Sequence, residues 1–190
     1  MAVAMAEGPI ASSGPFTRAD LEHMPDDGRR YEIIDGVLIV SAAPGRMHQR
    51  AAFELAVLLR AACRPEFEVM IAPFAVGLAD DTEMQPDILV ARRDQLTDKD
   101  LPGPPALAVE VLSPSTRMID LNAKRARFER AGTPSFWVVD PVARPEEARL
   151  IAWELGPDGE YLQVADVSGE KVFDATPPYQ VSVIPADLVR

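Results

Sequence analysis

Two carboxylates of this chain stand in segments that are otherwise apolar. Glu110 lies within the run Ala-Leu-Ala-Val-Glu-Val-Leu at residues 106–112, and Asp87 directly precedes the apolar residues 88–91. Near-continuous apolar runs of this length are typical of strands that are covered on both faces of a sheet. An ionised carboxylate in such a place costs free energy unless a cation or a metal ion pairs with it. If the two strands are neighbours, both carboxylates converge on one point.

The chemistry that two converging carboxylates favour is the binding of a cation. Two close carboxylates repel each other, so one of them takes up a proton unless a positive charge lies between them. Oxygen ligands with no pair of Cys or His residues nearby favour a hard ion, Mg²⁺ or Mn²⁺. The alternative for either residue alone is a carboxylate at a strand end that accepts hydrogen bonds from backbone amides.

Lys124 is the third residue of this candidate site. On an ideal helix, Leu121, Lys124, Phe128 and Ala131 follow one another at steps of three and four residues, so they share one face. A lysine on this apolar stripe is predicted to point inward, toward the carboxylates. The periodicity is equally compatible with a side chain that reaches the helix edge and pairs with Asp120, four residues earlier.

The elements that must hold these residues follow from turn signals and periodicity. Asp35-Gly36 between two β-rich runs predicts a hairpin over residues 31–40. Helical spacing predicts one helix from about residue 48 to 63 and another from about 118 to 131. Further strands are predicted at residues 69–78, 88–91, 106–112, 136–139, 150–155, 161–164, 172–173 and 181–184. This order predicts one α/β domain over residues 17–190, preceded by a flexible tail of residues 1–16.

Composition limits the classes of function. The 190 residues include 30 acidic and 19 basic side chains, a formal net charge of -11. This balance argues against tight non-specific binding to nucleic acid, which rests mostly on Lys and Arg, although a local basic patch is compatible with it. No apolar run approaches the roughly 18 residues of a membrane span. The first residues do not read as a signal peptide, and Cys63 has no partner cysteine in the chain, so we expect a cytoplasmic protein.

An assembly of two chains is also compatible with the pattern. The C-terminal hairpins are expected to leave an edge strand exposed, and an exposed edge can pair with a second copy. A homodimer is therefore a candidate assembly.

Six short motifs occur in a consistent order between about residues 17 and 141. They are Tyr31-Glu32-Ile33-Ile34-Asp35-Gly36, His48, Gln85-Pro86-Asp87-Ile88, Val109-Glu110-Val111-Leu112-Ser113-Pro114-Ser115, Lys124, and Phe136-Trp137-Val138-Val139-Asp140-Pro141. The ordered set resembles the Uma2 family of the restriction-endonuclease-like PD-(D/E)XK superfamily. This resemblance implies a restriction-endonuclease-like core, a central mixed β-sheet flanked by helices, with extra β-hairpins on the N- and C-terminal sides.

The resemblance also implies roles for the two carboxylates. In that superfamily the aspartate of the Pro-Asp motif and a second acid bind Mg²⁺, and a lysine two residues after the second acid assists the attacking water. Asp87 and Glu110 would therefore be metal ligands, with the main-chain carbonyl of Val111 completing the set from the protein. Leu112 fills the usual lysine position, and the resemblance places the lysine on the following helix, at Lys124.

Two further residues match family positions, and a third does so weakly. Glu32 on the first hairpin and His48 at the start of the long helix are implied to support the site. For His48 the alternative is a helix-start histidine that is bonded to backbone. Glu54 lies on the helix that often supplies an auxiliary acid in the superfamily.

The activity that the resemblance implies is that of an endonuclease, which hydrolyses nucleic-acid phosphodiester bonds with Mg²⁺ or Mn²⁺. Two alternatives stay open. One is a non-catalytic module of the same fold that binds a partner, which the net charge of -11 and the missing recognition domain favour. The other is a hydrolase of another phosphate substrate. No motif separates DNA from RNA.

Overall fold

The computed structural model describes residues 14–114 and 116–190. Most of the predicted tail, and Ser115, therefore lie outside the described residues. The α-helices of the described part are α1 (Arg18–Leu21), α2 (Arg46–Ala62) and α3 (Arg125–Arg130), and a π-helical segment, Ile119–Lys124, leads directly into α3. Short 3-10 turns lie at Arg93–Gln95, Pro145–Glu147 and Pro185–Leu188.

The strands are numbered in chain order. They are β1 (Arg30–Ile34), β2 (Val37–Ser41), β3 (Phe67–Ile71), β4 (Ala75–Ala79), β5 (Thr82–Met84), β6 (Ile88–Arg92), β7 (Asp100–Leu101), β8 (Leu107–Val111), β9 (Ser135–Asp140), β10 (Arg149–Leu155), β11 (Tyr161–Ser168), β12 (Phe173–Ala175) and β13 (Val181–Val183). β12 and β13 form a two-stranded sheet of their own.

A six-stranded mixed sheet forms the centre of the fold. Its strand order is β11-β10-β9-β8-β6-β3, in which β8 and β9 run parallel and the other neighbours antiparallel. Side chains alternate between the two faces of a sheet. Ile88 and Val109 accordingly pack with α2 and the C-terminal strands, whereas Leu89 and Ala108 pack on the opposite face with Phe128 of α3. The predicted mixed sheet flanked by helices is confirmed.

A second sheet of five strands, in the order β2-β1-β5-β4-β7, joins the α3 side of the central sheet. Its first two strands are the predicted hairpin. The turn residues Asp35 and Gly36 have φ values of 49° and 78°, which a two-residue turn of type I′ requires. β1 is thereby held against both β2 and β5, and it carries two of the side chains that enter the site.

Two sequence predictions are wrong in detail. Residues 69–78 do not form one strand: β3 is an edge strand of the central sheet and β4 belongs to the second sheet. Pro73, between them, has no N–H for a sheet ladder. The helix predicted over residues 118–131 is not continuous: residues 117–118 are α-helical, Ile119–Lys124 follows the wider π-helical path, and α3 begins at Arg125. Among the described residues, no helix combines the length and the apolar character that crossing a membrane requires.

Candidate active site

Asp87 and Glu110 lie side by side at the same end of two neighbouring strands. β6 pairs with β8 in the register Ile88 to Val109, and the two acids follow one position beyond this pair on their respective strands. Both therefore point to the face of the central sheet that carries α3. They are 5% and 1% exposed. The convergence that the sequence suggested is thus present in the fold.

Asp87 is held by three donors. Its Oδ1 accepts a hydrogen bond from Arg30 Nη2 at 3.0 Å, and its Oδ2 accepts one from the Val111 N–H at 2.8 Å. His48 Nε2 lies 3.0 Å from Oδ2, and because an ionised carboxylate only accepts, Nε2 carries the proton of this bond. Burial alone would raise the pKa of Asp87, but His48, Arg30 and the Val111 amide together hold it below its usual value. Asp87 is therefore ionised at neutral pH.

Lys124 is surrounded by carboxylates. Its Nζ lies 2.9 Å from Glu32 Oε1, 3.2 Å from Glu110 Oε1 and 3.6 Å from Asp120 Oδ1. Burial would lower the pKa of Lys124, but the charges of Glu110, Glu32 and Asp120 outweigh it and raise the pKa. The side chain points inward, and Asp120 is buried with it instead of pairing at the surface. An ammonium in these surroundings keeps its proton, so it acts as a fixed positive charge.

Glu110 is the least compensated of these acids. Its Oε1 is within ion-pair distance of Lys124, yet it has no hydrogen-bond partner among the described residues. Burial raises the pKa of Glu110 well above its usual value, Lys124 opposes this only in part, and Asp120 and Asp87 raise it further. The cations of the site are therefore too few to keep all of its carboxylates ionised, and Glu110 favours its protonated form unless a further cation enters.

A cavity of about 210 Å³ joins these groups. Four carboxylates line it, those of Glu32, Asp87, Glu110 and Asp120, against the two full positive charges of Arg30 and Lys124. Such an excess of buried negative charge is what a divalent cation neutralises. In the described parts of the chain, no three His, Cys, Asp or Glu side chains are gathered as ligands of one ion.

The donor set nevertheless fits Mg²⁺ or Mn²⁺. Mg²⁺ is commonly held by one or two carboxylates and completes its shell with waters and substrate oxygens. Asp87 and Glu110 supply two carboxylates at the same end of the neighbouring strands β6 and β8, and Val111 lines the same cavity. The assignment of these three residues as metal ligands stays a prediction.

One acidic and one basic side chain of the π-helical segment enter the cavity together. Asp120 and Lys124 are its buried residues. π-helical turns are rare, and they occur frequently at functional sites. Here the segment turns both side chains toward the strand ends that bear Asp87 and Glu110.

The structure brings together all six of the predicted site residues and adds two. The 210 Å³ cavity is lined by Glu32, His48, Asp87, Glu110, Val111 and Lys124, and also by Arg30 and Asp120, which sequence reasoning missed as site residues. Spacing could have identified both residues. Arg30 lies two positions before Glu32 on β1 and so shares its strand face, and Asp120 lies four positions before Lys124 and so shares its helix face. Glu54 is not in this cavity: it lines a separate depression beside Val172 and Leu188.

Comparisons with known proteins agree with this fold. The Uma2 family profile, described as "Putative restriction endonuclease", matches residues 18–184. Among solved structures, the chain is similar to "a putative nuclease belonging to DUF820" from Anabaena variabilis, with 17% sequence identity and a TM-score of 0.72. That match covers 92% of this chain and 98% of the other. No curated protein matches the sequence.

Proposed function

Because the chain belongs to the Uma2 family, we propose that it is a Mg²⁺- or Mn²⁺-dependent nuclease, which hydrolyses phosphodiester bonds of nucleic acid in the cavity around Asp87 and Glu110. The family match covers residues 18–184 and therefore includes every residue of the candidate site. The similar nuclease-type fold covers 92% of the chain.

The proposal rests above all on the carboxylate of Glu110. It is buried in an apolar strand, one of its oxygens lacks a hydrogen bond among the described residues, and a second carboxylate stands beside it on the next strand. A buried carboxylate in this condition lowers stability unless a cation binds to it, and such costs are concentrated at functional sites. The role that fits the neighbours of Glu110 is to bind a hard divalent ion together with Asp87.

The chain's own residues then have separable roles. Asp87 and Glu110 would hold the divalent ion, which would supply Lewis-acid stabilisation of a phosphate oxygen and would activate a water for attack. Lys124 places a permanent positive charge beside the same point, where it stabilises charge that develops on the phosphate. Because the ammonium keeps its proton, we assign it no role as a general base.

Three residues position these groups. Arg30 and His48 hold Asp87 ionised and fix the direction of its two oxygens. Glu32 pairs with Lys124 and also accepts a hydrogen bond from the Gln85 N–H at 2.8 Å. Glu32 thereby connects the ammonium to the segment that leads into Asp87. Groups that orient metal ligands commonly affect metal affinity or activity by about 10- to 100-fold when they are removed.

The decisive experiment combines metal binding with cleavage. Calorimetric titration with Mn²⁺ is carried out on the wild type, Asp87→Asn and Glu110→Gln, and the same proteins are incubated with Mg²⁺ or Mn²⁺ and single-stranded and duplex DNA and RNA. We expect binding and cleavage in the wild type and neither in the two variants. Glu160→Gln serves as the matched control, because Glu160 is an exposed acid in the β10–β11 loop.

Each other outcome has a definite meaning. Absence of cleavage by the wild type, or cleavage that persists undiminished in both variants, contradicts the proposal. Mn²⁺ binding without nucleic-acid cleavage, but with hydrolysis of a small chromogenic phosphodiester, assigns the site to another phosphate substrate. If neither Mn²⁺ binding nor hydrolysis is observed, the non-catalytic module is the remaining alternative, which the net charge of -11 favours.

A further inference from the structure

Helix α2 has a second apolar face, on which Ala52 and Ala56 pack partly against the core and Phe53 and Val57 remain exposed. Its first face is buried in the core through Ala51, Leu55 and Leu59. Its second face follows the same helical spacing along the other side of the helix. The residues of this second face that line an open groove are Gln49, Ala52, Phe53, Ala56, Val57, Arg60 and Ala61.

This apolar groove lies between α2 and the edge strand β3 and has a volume of about 940 Å³. Phe53 and Val57 form the α2 side, with 64% and 47% of their surface exposed, and Ile71 of β3 stands opposite at 56%. A group of large exposed apolar side chains is more typical of a binding site than of an ordinary protein surface.

The apolar groove is continuous with the candidate active site. Arg30, His48 and Asp87 line both cavities, so one end of the apolar groove opens at the carboxylates. Phe53 and Arg60 follow His48 by five and twelve positions on the same helix. At about 1.5 Å per residue, the groove extends about 18 Å from the active site to Arg60.

The charge of the apolar groove is opposite to that of the whole chain. Three arginines line it, Arg29, Arg30 and Arg60, whereas Asp87 is its one carboxylate among the described residues. The chain as a whole has 30 acidic and 19 basic side chains. Arg30 is engaged with Asp87 and Arg29 pairs with Asp27 at the surface, but within residues 14–114 and 116–190 no carboxylate pairs with Arg60. A local basic lining in an acidic protein indicates an anionic ligand.

We propose that the apolar groove binds a single-stranded segment of nucleic acid and leads it to the active site. This inference rests on the proposed function and specifies its substrate. Unpaired bases lie against Phe53, Val57 and Ile71, while phosphates face Arg29 and Arg60. An apolar groove with an exposed aromatic ring suits bases that are free to stack, whereas paired bases of a duplex do not offer their faces. Its length corresponds to at most about five stacked nucleotides.

The test measures binding separately from cleavage. Fluorescence anisotropy with the full chain in EDTA uses a labelled unstructured 12-nucleotide DNA, the same sequence as RNA, and the matching duplexes. We expect at least one single strand to bind more tightly than its duplex. Phe53→Ala should weaken that binding by about 5- to 150-fold, the range for loss of one stacked base, and Phe53→Trp should retain it.

Two further variants complete the design. Arg60→Gln should reduce the slope of log K against log salt by about 0.7, as expected for one phosphate contact on a single strand. Leu162→Ala is the matched control, because Leu162 is an apolar residue of β11 that is 58% exposed and lies outside the apolar groove. Leu162→Ala should change neither the affinity for single strands nor the slope of log K against log salt.

The outcomes separate this inference from the function that it rests on. If the wild type cleaves nucleic acid but Phe53→Ala binds single strands as the wild type does, the groove proposal is wrong and the nuclease proposal stands. Equal or tighter binding of duplex also overturns the groove proposal. A wild type that is dimeric in sedimentation, with Phe53→Ala monomeric and unaltered in single-strand binding, assigns the apolar groove to a second copy of the chain. Specific single-strand binding without any cleavage supports the groove and contradicts the nuclease.

Discussion

Lys124 places a positive charge beside Glu110 from a helix, whereas the resemblance to the PD-(D/E)XK superfamily implied a lysine on the strand. Leu112 stands at the strand position and is 5% exposed, packed in the same apolar cluster as Phe128. The ammonium instead reaches Glu110 from the π-helical segment, at 3.2 Å. The strand can thus remain apolar around Glu110, and the positive charge depends on the placement of one helical turn.

Replacing Lys124 with Met should destabilise the protein strongly. The change keeps a similar apolar stem but leaves Glu32, Glu110 and Asp120 buried without their shared cation. Removal of one partner of a buried ion pair typically costs about 3–5 kcal/mol. We expect a loss of this size in the free energy of unfolding, measured with urea in the absence of divalent metal.

The matched control is Lys171→Met, because Lys171 is exposed in the loop between β11 and β12. Its effect should stay within about 0.5 kcal/mol, as is usual for surface positions. An equally small effect at Lys124 would mean that the three carboxylates do not depend on the ammonium.

The site's acids were predictable because apolar strands make charges conspicuous. Asp87 and Glu110 each interrupt a run in which a carboxylate is costly, and this cost is visible without a structure. Arg30 gave no such signal, because an arginine near a hairpin is ordinary at a surface. Asp120 was visible only as a neighbour of Lys124, and its burial depends on a helical turn that periodicity does not reveal.

The β1–β2 hairpin is the element that carries Arg30 and Glu32 into the site. Its turn needs Gly36 in the left-handed region, with φ 78°. A Cβ at this position would lie 2.7 Å from Pro15 Cβ. The turn is therefore restricted both by backbone conformation and by space.

Gly36→Ala should destabilise the fold more than Gly28→Ala. Both glycines have a φ near +80°, so alanine costs about 1–2 kcal/mol in backbone strain at either position. At Gly28 a Cβ meets nothing within 4 Å, whereas at Gly36 it also meets Pro15. Urea unfolding of the two variants measures the difference directly. Equal losses would show that the segment at Pro15 moves away without cost.

Elements with strong local signals were predictable and the others were not. The Asp35-Gly36 turn, α2 and the strands around Asp87 and Glu110 follow from residue types and spacing. β5 and β7 contain three and two residues, too few for any periodicity, and they exist because β4 and β1 offer them partners. The π-helical segment was not predicted, because the helical pattern in a sequence is read at 3.6 residues per turn.

At the scale of the whole molecule, the site lies where separate layers meet. Asp87 and Glu110 come from the central sheet, Arg30 and Glu32 from the second sheet, and Lys124 from the π-helical segment. The mutual repulsion of the four carboxylates in the cavity works against the packing of these layers. An ion bound at the carboxylates should therefore stabilise the whole fold.

Mn²⁺ should raise the melting temperature of the wild type but not that of Glu110→Gln. A ligand that binds only the folded state at about 100 times its Kd adds about 2.7 kcal/mol of stability. For a chain of this size this corresponds to a rise of several degrees in Tm. Differential scanning calorimetry with and without EDTA measures the effect. A shift of the same size in Glu110→Gln would place the ion elsewhere.

The junction of layers also determines when in folding the site can form. Arg30 and Asp87 are 57 positions apart in the chain, Glu32 and Gln85 are 53 apart, and Asp87 and Val111 are 24 apart. Closing such long loops costs entropy before any contact offsets it, and folds rich in distant contacts form slowly. Hairpins such as β1–β2 and β10–β11 depend on local contacts and are expected to form early, whereas we expect the four acids of the site to meet later. We therefore expect a partly folded chain, during synthesis or refolding, to lack the assembled candidate site.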